Sequence, residues 1–198
     1  MRVVDELGFA FGWIAPKPRF MQRASHAIAA GGGVWVIDPV ADAAMLERVR
    51  ALGEPAGVVQ LLDRHARDCK RVALELGVPH HPVPDRPPDG APFEIVPVLR
   101  RRWWREVALW FPEERTLVAA DAVGTVPYYC SPAERLAVSP LLRLTPPRAL
   151  LRIEPAHVLV GHGAGVHDDA AAALHAAIAG ARREIPRWLA SLPRTRFR

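Results

Sequence analysis

Three short apolar runs, each ending on a polar residue, constrain this chain more than any other feature. Val58–Leu62 is nearly continuous and runs into Asp63-Arg64-His65. Leu117–Ala120 ends on Asp121, and Val158–Val160 ends on Gly161-His162-Gly163. Runs this short do not make buried helices, and their lack of polar alternation does not suit a half-exposed sheet. They read as strands covered on both faces. Such strands need a layer on each side. In open sheets, ligand sites lie at the C-terminal ends of strands, so the polar residues after these runs are the first candidates for chemistry.

The rest of the chain supplies the layers. Phe9–Ala15, Ser25–Ala30 and Gly33–Ile37 read as strands, the last two joined at Gly31-Gly32, where glycine admits the positive φ of a tight hairpin. Ala41–Leu52 puts Ala44, Met45, Val49 and Leu52 on one helical face and stops at Gly53. Arg67–Leu76 is a second helix, closed by Gly77. Val78–Val83, Phe93–Leu99, Glu106–Phe111 and Thr116–Ala120 read as further strands. Asp168-Asp169 is expected to cap a helix over Ala170–Arg183. The pattern predicts one layered α/β (α+β) domain over residues 1–198.

Composition excludes several classes. Half of the 198 residues are apolar and 24% are charged, too apolar for disorder throughout. The longest uncharged run, near Ala27–Ile37, falls short of the ~20 residues needed to cross a bilayer. Asp5 and Glu6 stand where a secretory signal would be basic. Two cysteines, Cys69 and Cys130, make no disulfide framework. A cytoplasmic protein with free thiols is expected. The net charge of +5 is carried almost wholly by arginine, which GC-rich coding alone produces, so it is weak ground for a nucleic-acid partner.

Taken in order, Gly31–Asp38, Val58–Cys69, Leu117–Gly124 and Val158–Gly163 resemble the metallo-β-lactamase superfamily, over roughly Phe9 to Arg183. The resemblance implies a four-layer αββα sandwich with metals at one edge. The family signature is His-x-His-x-Asp-His, then a lone His, a bridging Asp and a final His in a glycine-flanked turn. Here Arg64 and Ala66 stand at the first two histidines, Asp68 at the Asp and Cys69 at the third His. The lone His is expected within Arg100–Glu106, which holds none. Asp121 matches the bridging Asp and His162 the final His. By this mapping one metal site is lost. The other keeps four residues able to bind a metal: Asp68, Cys69, Asp121 and His162. These ligand types suit zinc and leave iron or manganese open.

Two readings follow. In one, the chain is a hydrolase with at most one metal, acting on a small ester or thioester. Asp68, Asp121 and His162 belong to its catalytic set, His65 lines the cleft, and Arg64 supplies fixed positive charge where the lost metal lay. In the other, Arg64 and His162 pair with the two aspartates, no metal binds, and the chain is a scaffold or binding protein. In that reading Asp68-Cys69 is a helix cap followed by a buried apolar residue. Arg100–Arg105, arginines interleaved with Trp103 and Trp104, adds a weaker nucleic-acid reading. No nucleophile elbow, P-loop or dinucleotide fingerprint is present. The expected partner is a small molecule, not a membrane.

Overall fold

The computed structural model describes residues 1–17 and 21–192. Six strands form the first sheet in sequence order: β1 (Arg2–Leu7), β2 (Ala10–Ile14), β3 (Ala24–Ala30), β4 (Gly33–Ile37), β5 (Pro55–Gln60) and β6 (His80–Pro82). Pairing is antiparallel from β1 to β4 and parallel from β4 to β6. Strand alternation gives this sheet two apolar faces. Val34, Val36 and Val58 pack outward against Leu46 and Val49 of α1 (Ala43–Leu52) and Cys69 and Val72 of α2 (Cys69–Leu76). Trp35, Ile37, Val59 and Leu61 pack inward.

Across that inner core lies a second sheet. It comprises β7 (Glu94–Arg101), β8 (Trp104–Phe111), β9 (Thr116–Ala119) and, after the small β10 (Val123–Gly124) and β11 (Ala137–Val138) pair, β12 (His157–Val160). Trp35, Phe93 and Phe111 pack through the middle, edge-on and tilted, at centroid distances of 4.9 and 5.1 Å. Each such ring contributes about 1.5–3 kcal/mol by leaving water. Leu174 and Ile178 of α3 (Ala170–Gly180) cover the far side, and α4 (Ile185–Ser191) follows. The order helix, sheet, sheet, helix is the αββα sandwich expected from the sequence.

The departures are local. β1 is an edge strand of mixed burial, which carries no clear alternation to read. α2 begins at Cys69, two residues later than predicted, because Arg67 adopts a φ of 38°. Asp169 takes a φ of 50° and makes no side-chain cap, so it does not close α3 as anticipated. The Gly31-Gly32 turn forms as expected, with φ of 58° and 82°. Among the described residues no helix is long and apolar enough to cross a membrane.

Candidate metal centre

The register of two parallel strands builds half of the site. β9 and β12 pair His157 with Thr116 through Val160 with Ala119. Both chains then leave the sheet side by side, which brings Asp121 and His162 together. Gly161 permits the approach, since a Cβ there would lie 2.8 Å from the Ala120 carbonyl oxygen. Gly163 has a φ of 100°, in the region that favours glycine, and turns the chain away.

The other half comes from the loop after β5. That loop is sewn to the second sheet by Val107 N–H to the Leu61 carbonyl (2.9 Å) and Asp63 N–H to the Arg105 carbonyl (3.0 Å). It delivers His65, whose Nε2 lies 2.9 Å from Asp121 Oδ1. His162 Nε2 lies 2.9 Å from the same oxygen. Beneath them Arg67 is half-buried, donating to the carbonyls of Ala24, Asp38 (2.9 Å) and Gly161 (3.1 Å). One guanidinium thus clamps the ends of strands from both sheets.

The outer nitrogens of both rings are committed. His65 Nδ1 meets Asp38 Oδ2 at 2.8 Å, and His162 Nδ1 meets the Met21 carbonyl at 2.7 Å. Both partners only accept, so each Nδ1 carries a proton, and in the neutral imidazole each Nε2 presents a lone pair. Two lone pairs and a carboxylate oxygen then face one another. Asp121 Oδ1 and His162 Nε2 are buried without a hydrogen-bond partner despite their separation of 2.9 Å, as expected where a lone pair faces a carboxylate oxygen. Three ligand atoms within 4.8 Å of one another, two of them buried without a hydrogen-bond partner, suit a cation among them. The residues therefore fit a metal.

Charge in the site follows from these contacts. Burial raises the Asp121 pKa, but the two histidines outweigh it and hold the carboxyl far below the usual range. Burial and the Arg67 charge lower the His65 pKa, while Asp38 and Asp121 more than offset them, so it is raised overall. Arg64 lies with one nitrogen 3.5 Å from Asp121 Oδ2 and its guanidinium 4.2 Å from the centre of the buried Trp104 ring. Glu106, fully buried, accepts from Trp104 Nε1–H (2.7 Å) and Ala122 N–H (2.8 Å). Burial, then the nearby Asp121 charge, push its pKa up to about 8.

The structure brings together Arg64, His65, Asp121 and His162, and it leaves Asp68 and Cys69 out. Asp68 Oδ2 accepts from Ala41 N–H at 2.9 Å, on the outer side of the first sheet. Cys69 opens α2 and is fully buried in the core beneath the outer helices. Its Sγ donates to the His65 carbonyl, and burial raises its pKa well above the ordinary thiol value. The four-residue set implied by the resemblance is thus not assembled, and His65 stands where a third ligand is needed. Asp38 and Met21 were not anticipated. Asp38 carries the signal already used for Asp121, a polar residue at the C-terminal end of a buried strand, but Asp38-Pro39 reads only as the end of that strand. A cleft of about 400 Å³ opens beside Asp121 and Arg64, with walls from Met21, Tyr128, Tyr129 and Leu141.

No family model and no curated protein matches the sequence. Solved structures do match the fold. A metallo-β-lactamase from Hirschia baltica aligns over 88% of this chain and 96% of its own at a TM-score of 0.57 and 11% identity. The DIM-1 metallo-β-lactamase aligns over 92% and 96% at a TM-score of 0.58 and 14% identity. This chain has the metallo-β-lactamase fold. The fold hosts other chemistry too: a chemotaxis sensor, ODP, solved as a peroxy diiron species, aligns over 92% of this chain and 94% of its own at a TM-score of 0.56 and 14% identity. In this metallo-β-lactamase-fold chain, His65, Asp121 and His162 lie at the C-terminal edge of the paired sheets.

Proposed function

We propose that this chain is a divergent hydrolase of the metallo-β-lactamase fold, working with one metal ion on a small ester or thioester. The convergence of His65 Nε2, His162 Nε2 and an Asp121 oxygen, with both Nδ1 atoms tied back, carries the reading. These three residues would hold the ion, and two imidazoles with one carboxylate suit zinc or ferrous iron. A divalent ion there supplies Lewis acidity, polarising a carbonyl and lowering the pKa of water.

The chain's own groups do the rest. Asp38 fixes the tautomer and plane of His65, as the Met21 carbonyl does for His162. Arg64, supported by Trp104, offers a permanent positive charge where negative charge develops on an acyl oxygen. Met21 and Leu141 give the cleft an apolar wall for the acyl group.

The Arg64–Asp121 contact also favours a second reading. In it Arg64, His65 and His162 hold Asp121 among themselves without metal, and the protein binds rather than hydrolyses. Elemental analysis of tag-free protein purified under reducing conditions separates the two. A single metal equivalent, lost in Asp121→Ala and His162→Ala, supports the hydrolase and calls for an ester and thioester screen. Equal metal content in wild type and both variants sinks the metal reading.

A further inference from the structure

We infer that the tip of the β7–β8 hairpin docks a nucleoside phosphate group carried by the substrate beside its scissile bond. The link to a substrate rests on the hydrolase reading above; the docking site itself does not. Arg100, Arg101, Arg102, Trp103 and Arg105 crowd this one turn. Trp103 is 61% exposed, a large apolar ring offered to solvent. It rests edge-on against Trp104 at 5.9 Å and 78°. Trp104 is buried and anchored on Glu106, so the exposed ring has a stiff support. Asp85 pairs with Arg100 at 3.0 Å and lies 3.9 Å from Arg105. Arg101 and Arg102 have no carboxylate partner among the described residues, which leaves the tip in positive excess.

The tip adjoins the centre. Trp103 touches Trp104, Trp104 lies 4.2 Å from the Arg64 guanidinium, and Arg64 lies 3.5 Å from Asp121. In this proposal a molecule with its acyl end in the cleft, beside Arg64, extends outward to the tip. Guanidinium groups recognise phosphate oxygens, and an indole face stacks a base. A nucleic-acid strand is the poorer occupant, because strand binders line up several stacking platforms along a groove, and this turn offers one.

The test uses ADP as probe, with inorganic pyrophosphate and adenosine as separate arms, followed by tryptophan fluorescence and calorimetry at low salt. ADP is expected to bind more tightly than either fragment. Trp103→Ala should weaken ADP about tenfold and leave pyrophosphate unchanged, since a stacked base contributes on that scale. The double variant Arg101→Gln, Arg102→Gln should weaken both phosphate ligands. Both positions are exposed, so folding is expected to survive. No ADP binding at millimolar concentration overturns the proposal, as does binding that none of these variants changes. Tighter binding of a short single-stranded oligonucleotide at the same residues also overturns it, in favour of a strand-binding surface. His162→Ala should keep ADP binding. Loss of the metal reading with ADP binding intact, or the reverse, tells the two ideas apart.

Discussion

Asp38→Asn gives the sharpest test of the candidate centre. The wild-type carboxylate accepts twice, from Leu61 N–H through Oδ1 (2.9 Å) and from His65 through Oδ2 (2.8 Å). Asparagine has one acceptor oxygen. If that oxygen keeps the Leu61 bond, its amide N–H faces His65 Nδ1, which must then accept. The proton moves to Nε2 and removes the lone pair from the centre. A lost outer-shell partner of this kind costs about 10–100-fold in metal affinity, about 1.4–2.7 kcal/mol. Competition against a chelator of known affinity, at matched pH, reads the change directly. The rings, Asp121 and Arg64 stay in place, so circular dichroism should be unaltered. Unchanged affinity with unaltered fold would refute the derivation, because the tautomer of His65 would then not matter to binding.

Two further outcomes follow from the geometry. Cys69→Ala should leave metal content unchanged while costing about 1–2 kcal/mol of core stability, read by urea unfolding; metal lost in this variant would place the thiol in the centre after all. Glu106 gives a pH signature. Its folded pKa, raised to about 8 from an ordinary 4.5, means the folded state holds the proton more tightly than the unfolded chain. The associated stability is present below about pH 4.5 and is lost as pH rises through 8, with a slope of at most about 1.4 kcal/mol per pH unit. Unfolding midpoints for wild type should therefore fall across that window relative to Glu106→Gln, and parallel curves would contradict the buried-carboxyl assignment.

What the sequence revealed and what it hid divide along a physical line. Asp121 and His162 were legible because each directly follows a buried strand, and strand direction carries over into the first residue or two beyond. The layers were legible because Val34, Trp35, Val36 and Ile37 alternate between two apolar surroundings that both demand burial. The loop from Asp63 to Asp68 was not. Its side-chain directions depend on Arg67, held at a φ of 38° by three carbonyls that come from three distant strand ends. A motif laid along that loop carries no information on which of its side chains face Asp121, and in the fold it is His65 that does. Glu106 lies within Arg100–Glu106, where the family's lone histidine would fall, but its burial against Trp104 and Ala122 is a tertiary fact that no local pattern carries.

The parallel register of β9 and β12 has a consequence for how such a chain can change. A slip of one residue in either strand would turn a partner to the opposite face and separate Asp121 from His162. Beyond Asp121, however, residues 125–156 make a long excursion that returns to β12 whatever route it takes. That excursion carries Tyr128, Tyr129 and Leu141, the walls of the cleft. Insertions or replacements there can reshape what the cleft admits without disturbing the pair. Part of the cleft wall and the Asp121–His162 pair thus lie in separate stretches of one chain, and each is free to drift at its own pace.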